Sequence, residues 1–125
     1  MVRDFELPVL ANDLSKLIEN QISIQQFLDS LFTDQETYTT FCQSLASYYY
    51  DDGGSPEVRE FIISDTDFNK QTLTGAFKCS FKVYYFFTCS DIKNDKNEYL
   101  TWTFKIDKQT NKIALVGEEP WIIDN

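Results

Sequence analysis

The strongest constraint on this chain is the alternation of apolar and polar side chains over residues 72–91. Successive side chains of a β-strand point to opposite faces, so a period of two predicts one long, half-buried strand. The opposite parity is polar as far as Lys82 and becomes aromatic at Tyr84 and Phe86. We therefore expect the chain itself or a partner to cover both faces of the strand's second half. The apolar parity consists of Leu73, Phe77, Cys79, Phe81, Val83, Tyr85, Phe87 and Cys89.

Three more strands are predicted around this one, because alternation also marks residues 58–68, 97–107 and 112–116. The predicted turns between the strands are residues 68–71, 93–96 and 108–111, which carry turn-forming side chains such as Asn94 and Asp95 that tolerate left-handed dihedrals. Gly75 predicts a bulge or bend within the long strand. Consecutive strands joined by short turns predict an antiparallel meander.

A four-residue turn at 93–96 also predicts a register for the central hairpin, in which the numbers of facing residues sum to 189. That register places Lys82 opposite Asp107, where opposite charges attract, and Tyr84 opposite Lys105. A slip of one residue would oppose every aromatic side chain with a polar one. The apolar pairs predicted on the other face are Phe87 with Trp102, Tyr85 with Phe104, and Val83 with Ile106.

Three helices are predicted ahead of the strands, from apolar side chains repeating at three- and four-residue spacing. The third should end near Asp51, because the Gly-Gly-Ser-Pro sequence that follows cannot continue a helix. The predicted starting signals are Asn12 or Asp13 as N-cap of the first helix, a capping box of Ser23 with Gln26 for the second, and Thr33 with Glu36 for the third.

Helices first and strands afterwards is the order of an α+β domain. The sequence therefore predicts one domain over residues 1–125, with about three N-terminal helices in 1–52 packed on a curved, four-stranded antiparallel meander in 57–125. This order resembles the general layout of cystatin-like and NTF2-like folds, in which a curved sheet wraps N-terminal helices. The resemblance is architectural and rests on no sequence motif.

The net charge of −9 is concentrated in the first half of the chain. Residues 1–57 hold ten acidic side chains against Arg3 and Lys16, whereas residues 58–125 hold ten acidic and nine basic ones. An acidic surface repels the phosphates of nucleic acids and attracts basic proteins. We therefore expect a basic protein partner and no direct contact with nucleic acid.

The composition argues against catalysis. There is no histidine, the commonest general base, and no phosphate-binding, nucleophile-elbow or zinc-ligand spacing occurs. We predict no catalytic, cofactor-binding or metal-binding residues, and buried, unreactive thiols at Cys42, Cys79 and Cys89. The first residues lack a signal peptide, and no apolar run is long enough to span a bilayer. The predicted location is cytoplasmic, in a bacterial or phage setting.

Two surfaces are predicted to bind partners. Acidic side chains interleaved with tyrosines suit a basic protein, because carboxylates steer encounter and tyrosine is frequent in interface hot spots. An exposed apolar patch on the sheet would also indicate an interface. The first surface comprises Asp34, Glu36, Tyr48, Tyr49, Tyr50, Asp51 and Asp52, and the second Phe61, Ile63, Tyr84, Phe86 and Val116.

The sequence thus favours a non-enzymatic inhibitor, or an immunity-type neutraliser of a basic protein such as a nuclease toxin or another nucleic-acid enzyme. One alternative is a cystatin-like or NTF2-like domain that binds a small apolar ligand between helices and sheet. Its expected lining is Tyr85, Phe87, Trp102 and Phe104. The other alternative is a structural homodimer formed through the outer sheet face, which the C-terminal Trp121, Ile122 and Ile123 could instead cover.

Overall fold

The computed structural model describes residues 4–52, 54–87 and 92–119 and shows three helices and a five-stranded antiparallel sheet. The α+β class is confirmed, and the prediction of four strands is wrong. The strand order is β1-β5-β4-β3-β2, so the four later strands form the predicted meander and β1 joins it at the β5 edge. The elements are β1 (Asp4–Pro8), α1 (Ala11–Ile18), α2 (Ile24–Leu31), α3 (Gln35–Ser47), a 3₁₀ turn (Tyr50–Asp52), β2 (Glu57–Asn69), β3 (Thr74–Phe87), β4 (Ile92–Asp107) and β5 (Lys112–Gly117).

The additional strand, β1, pairs antiparallel with β5 over its five residues. The alternation of polar and apolar side chains from Asp4 to Leu7 is short, and no strand was predicted from it. Pro8 is accepted on an edge strand, where its missing N–H need not join a ladder. The pairing places the partly buried Phe5 ring against the core, 5.9 Å from both Phe41 and Trp102 between ring centroids.

The predicted register of the β3–β4 hairpin is wrong by ten residues. Phe77, not Phe87, lies opposite Trp102, and facing numbers sum to 179. The strand β3 ends at Phe87 and β4 begins at Ile92, so the predicted turn residues Asn94 and Asp95 belong to β4. Because side chains alternate between faces, a shift of ten residues, an even number, leaves every side chain on the same face of the sheet. The alternation therefore predicted the buried face correctly while leaving the position along the strand undetermined.

The shifted register also changes the partners of the outward-facing charges. Lys82 lies opposite Asn97, and its ammonium is 3.6 Å from the carboxylate of Asp95 rather than beside Asp107. Both side chains of this pair are about half exposed, so solvent screens the attraction and the pair contributes little to stability. Tyr84 lies opposite Asp95 instead of Lys105.

Two β-bulges reverse the parity of β2. Relative to β3, the strand β2 has one extra residue between Val58 and Phe61 and another between Ser64 and Asp67. Asp65, in the second bulge, has a φ of 49°, a left-handed conformation that aspartate tolerates. Each bulge exchanges the two faces of the strand. Val58, Phe61, Ile63 and Phe68 consequently all face the helices, although Val58 and Phe68 have even numbers and Phe61 and Ile63 have odd ones.

The helix starts are predicted in part. Ser23 and Gln26 form the expected capping box at α2, each side chain accepting a bond from the other's backbone N–H. The N-cap of α3 is Asp34 rather than Thr33, because its carboxylate accepts the N–H of Thr37. Leu10 is the N-cap residue of α1, without a side-chain hydrogen bond, in place of Asn12 or Asp13.

The core lies between the helices and one face of the sheet, with Trp102 and Phe41 at its centre, both fully buried. Gly75 lies where another residue would not fit, because a Cβ there would come within 2.2 Å of the Asp67 carbonyl oxygen. Cys42 and Cys79 are buried thiols, as predicted, and Cys89 lies outside the described residues. None of the three described helices is long and apolar enough to cross a membrane.

Candidate protein-binding surface

The acidic side chains are segregated by layer. Residues 11–52, which form the helices and the 3₁₀ turn, contain seven acidic side chains and one lysine, Lys16. Residues 57–119, which form the rest of the sheet, contain ten acidic and nine basic side chains. The helical layer is therefore the negative side of the molecule. Its exposed carboxylates belong to Glu19, Asp29, Asp34, Glu36 and Asp51, and Asp13 is half-buried.

A cleft of about 340 Å³ opens within this helical layer, between the start of α1, α2 and the start of α3. We call it the helical cleft. Its apolar wall includes Phe27, which is buried, and Leu10, whose side chain is 71% exposed. Its lining residues are Pro8, Val9, Leu10, Asp13, Phe27, Ser30, Leu31, Thr33, Asp34 and Thr37.

Asp34, which the sequence predicts to bind a partner, has a structural role as the N-cap of α3. Its Oδ2 accepts hydrogen bonds from the backbone N–H of Thr37 at 3.0 Å and from the Thr37 hydroxyl at 2.9 Å. These bonds favour the ionised form and hold the pKa of the Asp34 carboxyl below its ordinary value. Asp34 is consequently charged at neutral pH while it caps α3.

The three consecutive tyrosines have different surroundings. The Tyr48 hydroxyl donates a 2.6 Å hydrogen bond to the carbonyl of Glu118, which joins the end of α3 to the residue after β5. The Tyr49 ring packs edge-on against Phe81, with 6.1 Å between centroids. Tyr50 is 56% exposed and is the one of the three that presents most of its side chain to solvent.

The seven residues predicted for the acidic surface do not form one patch. Asp34 and Glu36 lie at the start of α3, whereas Tyr50 and Asp51 follow its end. A rise of about 1.5 Å per residue separates the two groups by roughly 20 Å. The side chain of Asp52 lies outside the described residues. The structure therefore places one acidic group at the start of α3, where Asp34 lines the helical cleft, and a second beyond the opposite end of α3.

The predicted sheet-face interface needs correction. Ile63 is buried and Phe61 stacks on Tyr38, so both face the helices, because the first bulge in β2 reverses their parity. Tyr84 lies on the outer face, where the Arg59 guanidinium covers its ring at 4.1 Å and lies 5.8 Å from the Phe86 ring. The Arg59 side chain therefore covers part of the outer face in the aromatic half of β3.

Val116 also lies on the outer face but far from Tyr84. It is level with Ala76 through the pairing of both residues with Thr103. Eight residues of β3 separate Ala76 from Tyr84, or roughly 26 Å at the usual strand rise. The predicted residues therefore form no contiguous apolar patch.

The outer face carries two exposed large side chains that the sequence reasoning did not select. Ile62 is 69% exposed and Tyr99 is 62% exposed, and they flank Ser80 from the two neighbouring strands. The Lys78 ammonium lies 4.6 Å from the centroid of the Tyr99 ring. Tyr99 has the outward parity of β4 and could have been found from the sequence, whereas the bulge concealed the orientation of Ile62.

The residues expected to line a small-ligand pocket are mostly packed into the core. Trp102 is fully buried against Phe41, and Phe104 packs against Phe68 and Phe77. Tyr85 is buried, and the side chain of Phe87 lies outside the described residues, as do Trp121, Ile122 and Ile123.

No protein-family model, curated protein or solved structure matches this chain.

Proposed function

We propose that this chain is a non-enzymatic binding protein whose helical layer binds a basic protein. The proposed role is that of an inhibitor or immunity-type neutraliser, acting in the cytoplasm on a nuclease toxin or another nucleic-acid enzyme. The observation that carries the proposal is the segregation of charge, with seven acidic side chains and one lysine in residues 11–52.

Charge of one sign on one side of a small domain favours this role on physical grounds. An enzyme that acts on nucleic acid needs a basic surface to neutralise phosphates. Exposed carboxylates compete for the same surface and accelerate encounter, by an amount that decreases as salt screens the attraction. Glu19, Asp29 and Glu36 are exposed carboxylates on three successive helices or helix ends and are suitably placed to act in this way.

A homodimer through the outer sheet face is the second candidate. The exposure of Ile62 and Tyr99 on that face favours it, because large apolar side chains on a sheet are frequent at interfaces. Sedimentation equilibrium of the wild type and of the Ile62→Ser/Tyr99→Ser variant tests it. A monomer mass for the wild type at every concentration would eliminate this candidate.

The experiment for the principal proposal compares two variants with the same change in net charge. Glu19→Gln/Asp29→Asn/Glu36→Gln removes three charges from the helical layer. Glu6→Gln/Glu60→Gln/Asp67→Asn removes three exposed charges from the sheet strands and is the control. Each protein is immobilised and used to capture proteins from the cells in which the gene occurs, at about 50 and about 500 mM NaCl.

We expect the wild type and the sheet variant to retain the same basic protein at low salt, and the helical variant to lose it. The captured protein is then purified, and its dissociation constant and enzymatic activity are measured with each variant. Equal losses of affinity in the two variants, or the absence of any basic partner at low salt, would contradict the proposal.

A further inference from the structure

The helical cleft combines apolar walls with a carboxylate rim. We infer that it receives a cationic side chain, lysine or arginine, from the basic partner, so that the inference rests on the proposed function for the identity of that partner. The aliphatic stem of such a side chain would pack against Phe27 and Leu31, and its charged end would meet Asp13 and Asp34.

The walls of the cleft match an aliphatic stem. Lysine and arginine bury their methylene groups along apolar surface while the charged end stays close to water. The cleft volume of about 340 Å³ is at the lower end of the roughly 300–1,000 Å³ typical of small-ligand sites. Leu10, 71% exposed at the cleft, gains burial when a stem is inserted.

The electrostatics of the cleft favour a cation. The helices α1 and α3 begin at its edge, and each N-terminus carries a partial positive charge of up to about half a unit. Asp13 and Asp34 each contribute a full negative charge, so the carboxylates outweigh both helix ends. A neutral or anionic side chain would leave that negative charge uncompensated.

Both carboxylates can still accept hydrogen bonds. Asp34 uses Oδ2 for its two bonds from Thr37, and Asp13 accepts only a long 3.4 Å bond from the Ser30 hydroxyl among the described residues. An ionised carboxylate offers about four lone-pair sites. A guanidinium or ammonium group at the rim could therefore bond to both side chains without breaking the cap of α3.

The test uses n-butylguanidinium as a probe of an arginine side chain and n-butylurea as its uncharged isostere. Backbone amide resonances are followed by NMR during titration of the whole protein with each compound. Eight non-hydrogen atoms predict a dissociation constant on the order of 10 mM for the cation. We expect the resonances of Leu10, Asp13, Ser30 and Asp34 to shift most, and butylurea to bind at least about fivefold more weakly.

Two matched variants distinguish binding of the cation in the helical cleft from a general attraction to the acidic surface. Asp13→Asn/Asp34→Asn removes both rim charges, and asparagine at position 34 retains the ability to cap α3. Glu19→Gln/Asp29→Asn removes two exposed charges from the same layer outside the cleft lining. We expect the first variant to weaken butylguanidinium about tenfold and the second by less than about twofold.

Equal weakening in the two variants, equal binding of butylurea, or shifts scattered over the acidic surface would overturn the inference. These outcomes concern the cleft alone. A basic partner captured by the helical layer would still support the proposed function, and specific cleft binding of butylguanidinium without any partner would contradict that function instead.

Discussion

The Tyr38 hydroxyl of α3 accepts a 3.1 Å hydrogen bond from the backbone N–H of Phe61 in the edge strand β2, while the two rings stack at 4.6 Å. Two residues further along β2, the carbonyl of Ile63 accepts a 2.9 Å bond from the Gln25 amide of α2. Helical side chains thus satisfy part of the edge that would otherwise invite another strand.

Substitution of Tyr38 tests this edge protection. Tyr38→Phe retains the ring but leaves the half-buried N–H of Phe61 without its acceptor. We expect the free energy of unfolding, measured in urea, to decrease by about 1 kcal/mol. Tyr50→Phe is the control, because Tyr50 is 56% exposed, and should leave stability unchanged. Equal stability of the Tyr38→Phe variant and the wild type would show that the hydrogen bond is not needed.

Gly75 is predicted to be required for the packing of β3 on β2 and β4. A Cβ at this position would lie 2.2 Å from the Asp67 carbonyl oxygen and 2.5 Å from the Phe104 ring. Since a backbone oxygen cannot rotate away, Gly75→Ala should cost roughly 1–3 kcal/mol in urea unfolding. Thr74→Ala, one residue away and half-buried, should cost clearly less. A neutral Gly75→Ala variant would contradict the close approach.

The capping box of α2 gives a third prediction. Ser23→Ala removes the side-chain acceptor of the Gln26 N–H, which lies at 3.1 Å, and should lower stability by about 1 kcal/mol. Ser15→Ala, at an exposed position inside α1, should leave stability unchanged or slightly higher because alanine has the greater helix propensity. A smaller loss at Ser23 than at Ser15 would contradict the assigned cap.

The buried thiols predict a loss of stability at alkaline pH. Burial, reinforced by the charge of Glu60, raises the pKa of Cys42 from 9.0 to about 11, and burial raises that of Cys79 further. In the unfolded chain both thiols ionise near their ordinary pKa, so the unfolded state loses protons first. Their contribution is fully present below about pH 9 and decreases as the pH rises, by up to about 1.4 kcal/mol per pH unit and thiol.

Urea unfolding under reducing conditions between about pH 8 and pH 10 measures this slope. The Cys42→Ala/Cys79→Ala variant should be less stable than the wild type at pH 8, because it loses buried volume, and its stability should depend less on pH. Parallel pH profiles for the two proteins would show that other groups cause the alkaline loss.

The sequence predicted which side chains of a strand are buried better than it predicted which residues of neighbouring strands lie opposite each other. Side-chain alternation identified Trp102, Phe104 and Ile106 as core residues, and they are buried despite a ten-residue error in register. Position along the strand depended on the turn propensity of Asn94 and Asp95, which is a weak local signal. The packing of Trp102 against Phe5 and Phe41 involves elements distant in sequence, and no local pattern reports it.

The candidate binding surface was also predictable only in part from the sequence. The concentration of acidic residues in the first half of the chain is visible in the sequence and coincides with one layer of the fold. The helical cleft was not predictable, because it depends on how the starts of α1 and α3 meet α2. The first bulge of β2 turns Phe61 and Ile63 inward, since an inserted residue changes the face without changing the composition.

The association rate constant of the captured basic partner, measured by stopped flow at about 50 mM NaCl, tests most directly whether the helical layer is the binding surface. Electrostatic steering by the helical layer predicts that Glu19→Gln/Asp29→Asn/Glu36→Gln slows association about tenfold or more, whereas Glu6→Gln/Glu60→Gln/Asp67→Asn changes it by less than about twofold. The difference should diminish at about 500 mM NaCl. Equal rates for the two variants at low salt would contradict the claim that the helical layer is the binding surface.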